Sequence, residues 1–173
     1  MNTKSMRWLP AVSATAAALL ITAALTAIPS AEAATSDALA RCQAGAGGNF
    51  NTNVVVDQRA ATFGYRYNIW PGDVLRVTAT GGIKTDGWPW TPYFSPDGVN
   101  EPAPSGDYWP APGLRKMSLI GNFNDTGQKI PLGRDSGCFI YTGPAQTFLW
   151  LQINDNYVLD NDGHWDVVIR QFW

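Results

Sequence analysis

The sequence is poor in the residues that most chemistry needs. It has one histidine, His164, and two cysteines, Cys42 and Cys138. A single histidine leaves little for zinc ligation or for acid–base catalysis, and no Ser-His-Asp pattern is present. Neither cysteine has a neighbour that would make it a nucleophile. Glutamate is nearly missing: after residue 33 only Glu101 remains, beside twelve aspartates. Glu favours helices more than Asp does, so this skew suits turns, loops and metal sites. No basic patch stands out, which argues against a nucleic-acid partner. Past residue 28 no apolar run is long enough to cross a bilayer.

The first residues read as an export signal. Lys4 and Arg7 precede an apolar run over 16–28 that is too short to span a membrane, and Ala31-Glu32-Ala33 supplies a small-x-small cleavage pattern. Residues 1–33 are therefore expected to be a signal peptide cut before Ala34. The product is expected to be secreted, with no membrane attachment afterwards. Removing Lys4, Arg7 and Glu32 from 12 basic and 14 acidic residues leaves a net charge of −3. Outside the cell the two cysteines are expected to form one disulfide, Cys42–Cys138. For a loop of that length the chain-entropy model gives about 4–5 kcal/mol.

Residues 34–50, small and polar with Gly45, Gly47 and Gly48, read as a flexible lead-in. The remainder, 51–173, reads as one domain without internal repeats. Strand signals fall at 53–57, 74–80, 116–122, 137–141, 147–154 and 164–171. In 74–80, Leu75, Val77 and Ala79 alternate with Arg76, Thr78 and Thr80. Leu149, Leu151 and Ile153 and then Trp165, Val167 and Ile169 are expected to face inward. Short strands between Gly, Pro and Asn turns predict an all-β sandwich or jelly roll. Between 81 and 113 the periodicity disappears and Pro and aromatic residues crowd in. Loops of that length in compact domains are functional or disordered, and the aromatic content argues against disorder.

Six Asn or Asp side chains fall between Asn154 and Asp162. That density supplies the oxygen ligands a hard cation such as calcium takes, at six to eight per ion. It also suits a plain Asx-rich hairpin turn. Asp155 and Asp160 offer the two charges that would offset the ion.

In order along the chain, several segments resemble the calcium-dependent galactophilic lectins of the PA-IL type. Tyr67-Asn68 followed by Pro71-Gly72-Asp73-Val74 matches that family's Tyr-Asn-Pro-Gly-Asp-Val, with Ile69 and Trp70 inserted. Ser95-Pro96-Asp97-Gly98 resembles its Gly-Pro-x-Gly turn. Leu119-Ile120-Gly121 precedes Ile130-Pro131. Leu151-Gln152-Ile153-Asn154-Asp155 and Asp160-Asn161-Asp162-Gly163-His164-Trp165 match its metal loop. The resemblance covers about residues 50–171. It implies a calcium cofactor whose shell two sugar hydroxyls complete. It places side-chain ligands at Asp155, Asp160 and Asn161, and backbone carbonyl ligands at about Thr85 and at Tyr157 or Val158. It implies glycan partners, of galactose type in the family, contacted by Asp155, Asn156 and Asp160. Trp88, Trp90 and Trp109, with Tyr93, are candidates to stack on a sugar ring or to cover the end of the sandwich. Oligomerisation would strengthen weak monovalent binding.

The family's galactose site also uses a His and a Gln shortly after the Gly-Pro-x-Gly turn. Here that stretch reads Glu101-Pro102-Ala103-Pro104-Ser105. His164 lies at the start of the last strand and is expected to be a strand or rim residue. A secreted calcium-dependent carbohydrate-binding protein is therefore the first reading. A structural or interaction module of the same fold that has lost sugar binding is the second. A hydrolase using Asp97 and Glu101 as paired carboxylates is the weakest, since nothing fixes their geometry, and no enzyme is expected.

Overall fold

In a computed structural model, described for residues 31–57, 59, 63–86, 88–106 and 108–173, eight strands form two antiparallel sheets. The leader reading falls outside these residues except for Ala31-Glu32-Ala33, which open a helix. In chain order the elements are α1 (Ala31–Gln43), β1 (Phe50–Asp57), β2 (Phe63–Ile69), β3 (Val74–Lys84), β4 (Leu119–Phe123), β5 (Lys129–Pro131), β6 (Asp135–Ile140), β7 (Thr147–Ile153) and β8 (Asp162–Phe172). One sheet has the order β1-β8-β3-β6 and the other β2-β7-β4-β5. No helix of the described residues is long and apolar enough to cross a membrane.

The core lies between the sheets, where period-two side chains meet. Leu75, Val77 and Ala79 of β3 and Trp165, Val167 and Ile169 of β8 pack against Leu149, Leu151 and Ile153 of β7. The six of β7 and β8 were expected to point inward and the three of β3 to share one face of a half-buried strand; all nine are buried. Alternation puts every second residue on one face, so a half-buried strand carries this signature in its sequence.

The lead-in is a correction. Its first part is helical rather than flexible. Alanine is the best helix former, and Asp37 pairs with Arg41 one turn later at 2.9 Å. Ala38 and Cys42, four residues apart, are both fully buried and dock on Val74 and Phe172. Gly45, taken as a sign of flexibility, ends the helix in the left-handed region (φ 72°), where glycine is unstrained. Its N–H and that of Ala46 bond back to Cys42 and Arg41. The Cys42–Cys138 disulfide ties α1 to β6.

Candidate functional site

The segment 154–161 leaves β7 in one sheet and enters β8 in the other, crossing one end of the sandwich. Its root is Asn154, fully buried. The Asn154 Oδ1 accepts from the Ala111 N–H at 2.9 Å, and Nδ2 donates toward the Ala111, Leu114 and Arg115 carbonyls at 3.0–3.3 Å. Its backbone pairs with Ser118 and Met117. The long Pro-rich loop is thus stapled to the start of the oxygen-rich loop. At the far end Arg59 Nε donates to the Asn161 carbonyl at 3.2 Å. One 3₁₀ turn, Val158–Asp160, lies between.

Asp155 is the unusual member. It is only 5 % exposed. Its Oδ1 accepts from the Tyr157 N–H at 3.1 Å. Its Oδ2 is buried with no hydrogen-bond partner among the described residues. Burial is the largest influence on the carboxyl and pushes its pKa up. The Tyr157 N–H and the Asn161 side chain pull it down, and the charge of Asp160 pushes it up again. A buried, under-satisfied carboxylate oxygen is costly as it stands. A hard cation is the group that satisfies such an atom without a donor hydrogen.

The remaining expected ligands converge on the same end. Asp160 is exposed and near enough for its charge to be felt at Asp155, and Asn161 is fully buried. Tyr157 and Asn156 lie in the loop and are exposed. Thr85 follows Lys84, which pairs with Asp162, so Thr85 emerges beside Asn161. Among the described residues no three His, Cys, Asp or Glu side chains are placed to hold a metal ion. A cation here would therefore draw on a mixed set of two carboxylates, an amide oxygen and backbone carbonyls. That set is oxygen-only, which suits a hard cation such as calcium better than zinc or copper.

Trp88 and Trp90 rise from the short excursion between Lys84 and Phe94, whose base is closed by the Ile83–Phe94 bridge. They are 60 % and 77 % exposed, and their rings stack on each other at 5.5 Å with 25° between planes. Tyr93 is exposed with Lys84 Nζ 4.7 Å from its ring centre. Trp109 does not join them; it is half-buried with Lys116 Nζ 5.7 Å from its ring centre. The stretch aligned with the family's His and Gln carries neither and is held at the surface by a few contacts. Glu101 pairs with Lys116, Pro102 bridges to Arg115 and Ala103 is buried. Asp97 pairs with Arg134 at 3.3 Å, so each carboxylate of the hydrolase reading is held by its own cation. His164 stands exposed on β8, 3.8 Å from Asp166.

Sequence reasoning missed two contributors. Asn154 had been counted only among the loop's oxygens, yet its side chain faces the Pro-rich loop. Its one sequence signal is polarity at the end of an alternating apolar strand. Arg59, on the β1–β2 connection, gave no signal.

No protein-family model and no curated protein matches this sequence. Among solved structures the chain is similar to one described as "EclA N-terminal domain; PllA-like lectin", at 20 % identity and a TM-score of 0.51, covering 69 % of this chain and 94 % of that one. At that identity the likeness is one of fold, an all-β sandwich.

Proposed function

We propose that this protein is a secreted, calcium-dependent carbohydrate-binding protein, with the ion held by the 155–161 loop. The observation that carries the reading is the buried Asp155 Oδ2, which lacks a hydrogen-bond partner among the described residues, at the end of a lectin-like sandwich. Asp155 and Asp160 supply charge, Asn161 an amide oxygen, and Thr85 and Tyr157 backbone carbonyls. When bound, the ion supplies open coordination positions that two neighbouring sugar hydroxyls fill. Asn156 offers polar contacts at the rim, and the paired Trp88 and Trp90 offer flat apolar faces to a ring. Arg59 and Asn154 position the loop from either end.

One observation favours a second reading, a secreted interaction module of the same fold. The 101–105 stretch offers neither His nor Gln, so galactose specificity has no support from those positions.

A glycan array probed in millimolar calcium, then in chelator, tests the proposal. At least one glycan is expected to bind in calcium, to be released by chelator, and to be lost in Asp155→Ala. An array with no glycan dependent on both would leave the interaction module as the better account.

A further inference from the structure

The opposite end of the sandwich holds a second cleft, of about 350 Å³, lined by Asn68, Trp70, Asp73, Gln171 and Trp173. We propose that it is a second saccharide-binding site, independent of calcium, that takes a neutral sugar ring between Trp70 and Trp173. It lies where β2 ends, β3 begins and β8 ends, whereas the 155–161 loop lies where β3 ends and β8 begins.

The walls are two indoles, 54 % and 56 % exposed. Two half-exposed indoles lining one cleft present flat apolar faces to a ligand. The backbone that carries each is held in place. The Trp70-Pro71-Gly72-Asp73 turn is closed by the Asp73 N–H on the Trp70 carbonyl at 3.0 Å and by the Trp70 N–H on Asp73 Oδ2 at 2.8 Å. Gly72 adopts φ 96° and donates to the Tyr141 carbonyl. The Trp173 carbonyl accepts from Arg41 Nη2 at 2.8 Å, and its N–H donates to Asn49 Oδ1 at 3.1 Å. Helix α1 therefore backs this end: Arg41 holds one wall, and Thr35 lies against the glycine of the turn that carries the other.

The floor is polar and preorganised. Gln171 Nε2 donates to Asp73 Oδ2 at 2.7 Å and to the Asn68 carbonyl at 2.8 Å, while Gln171 Oε1 accepts from the Tyr65 hydroxyl at 3.0 Å. These bonds use both hydrogens of the Gln171 amide, whereas a carboxylate such as Asp73 accepts more hydrogen bonds than the two it receives here. The spare acceptor capacity of Asp73 suits a ligand that brings donors, as the hydroxyls of a sugar do. A prolyl peptide would bring carbonyl acceptors and few donors. The charge of Asp73 also disfavours acidic sugars. Flat apolar walls with few fixed polar groups, at a volume near the lower end for ligand pockets, suit one or two sugar rings.

The test is the disulfide-bonded protein on an array of neutral and acidic oligosaccharides in excess chelator. At least one neutral glycan is expected to bind. Trp70→Ala and Trp173→Ala should each weaken it by about tenfold or more, Trp70→Phe should weaken it less, and Asp155→Ala should leave it unchanged. Both tryptophans are more than half exposed, so the variants should melt with wild type, and that melt is the fold control. The proposal is overturned by an array with no chelator-resistant binder, or by a binder indifferent to both alanine variants. It is equally overturned if the cleft takes tetramethylammonium or a proline decapeptide in place of a glycan.

Discussion

Replacing Asn154 with leucine is expected to lower stability by about 3 kcal/mol or more, although leucine is nearly its size. The Asn154 side chain is the partner of one backbone N–H and of three carbonyls, all drawn from the loop before β4. Leucine would leave the Ala111 N–H without a partner, while the Ala111, Leu114 and Arg115 carbonyls each lose one of two bonds and keep those from the Leu114 N–H, the Ala103 N–H and the Ser118 hydroxyl. A buried polar group left without a partner costs about 1–3 kcal/mol, and each further bond lost about 0.5–1.5 kcal/mol. A loss of that size should lower the melting temperature by roughly 10 °C in a domain of this length. Asn154→Asp should be at least as harmful at neutral pH, because a carboxylate oxygen would then face the carbonyls that Nδ2 now serves. Calorimetry of both variants checks this. A leucine variant melting within about 2 °C of wild type would mean that the staple contributes nothing. Because Asn154 adjoins Asp155, the variants should also respond more weakly to calcium.

The second large effect concerns the disulfide. Cys42 and Cys138 are 96 residues apart, and the chain-entropy model assigns a loop of that length about 4.7 kcal/mol. That figure assumes that the native state survives intact without the bond. Here the bond anchors α1, whose buried contact is confined to Ala38, Cys42 and part of Leu39 against Val74 and Phe172. Once uncoupled, the helix can leave the sheet while the sandwich persists. The Cys42→Ala/Cys138→Ala pair should therefore lose less than the loop estimate. Hydrogen exchange should show α1 unprotected and the β3 and β8 amides still protected. Loss of protection in α1 and in the sheets together would show instead that the helix is integral to the folding unit. Chelator-resistant sugar binding should also weaken in this pair, since α1 backs Trp70 and Trp173.

Strands whose burial alternates were legible in the sequence; others were not, for physical reasons. β3, β7 and β8 each bury every second residue over long stretches. In β2 the register shifts between Tyr65 and Ile69, so Tyr65 and Ile69 are buried while Tyr67, on the nominal same face, is exposed. A period-two reading finds nothing there. β5 is three residues long and carries no period at all. Helix α1 was hidden by the glycines after it, of which Gly45 caps it rather than loosens it. At the oxygen-rich loop, residue types alone pointed to Asp155 and Asp160 as the charges a cation would need, and the resemblance added Asn161. The Asn154 staple was not legible, since its partners lie 39 to 43 residues away. Nor was the Trp70–Trp173 cleft, whose floor joins residues 98 apart.

The measurement that bears most directly on the central claim is the melting temperature of the protein in millimolar calcium and in chelator, wild type beside Asp155→Ala. A ligand present at about a hundred times its dissociation constant stabilises the fold by about 2.7 kcal/mol, or several degrees in a domain of this size. Wild type is expected to gain that shift in calcium and lose it in chelator, and Asp155→Ala is expected to show none. Identical melting of wild type in the two buffers would contradict the calcium site, and the 155–161 loop would then be an Asx-rich turn and nothing more.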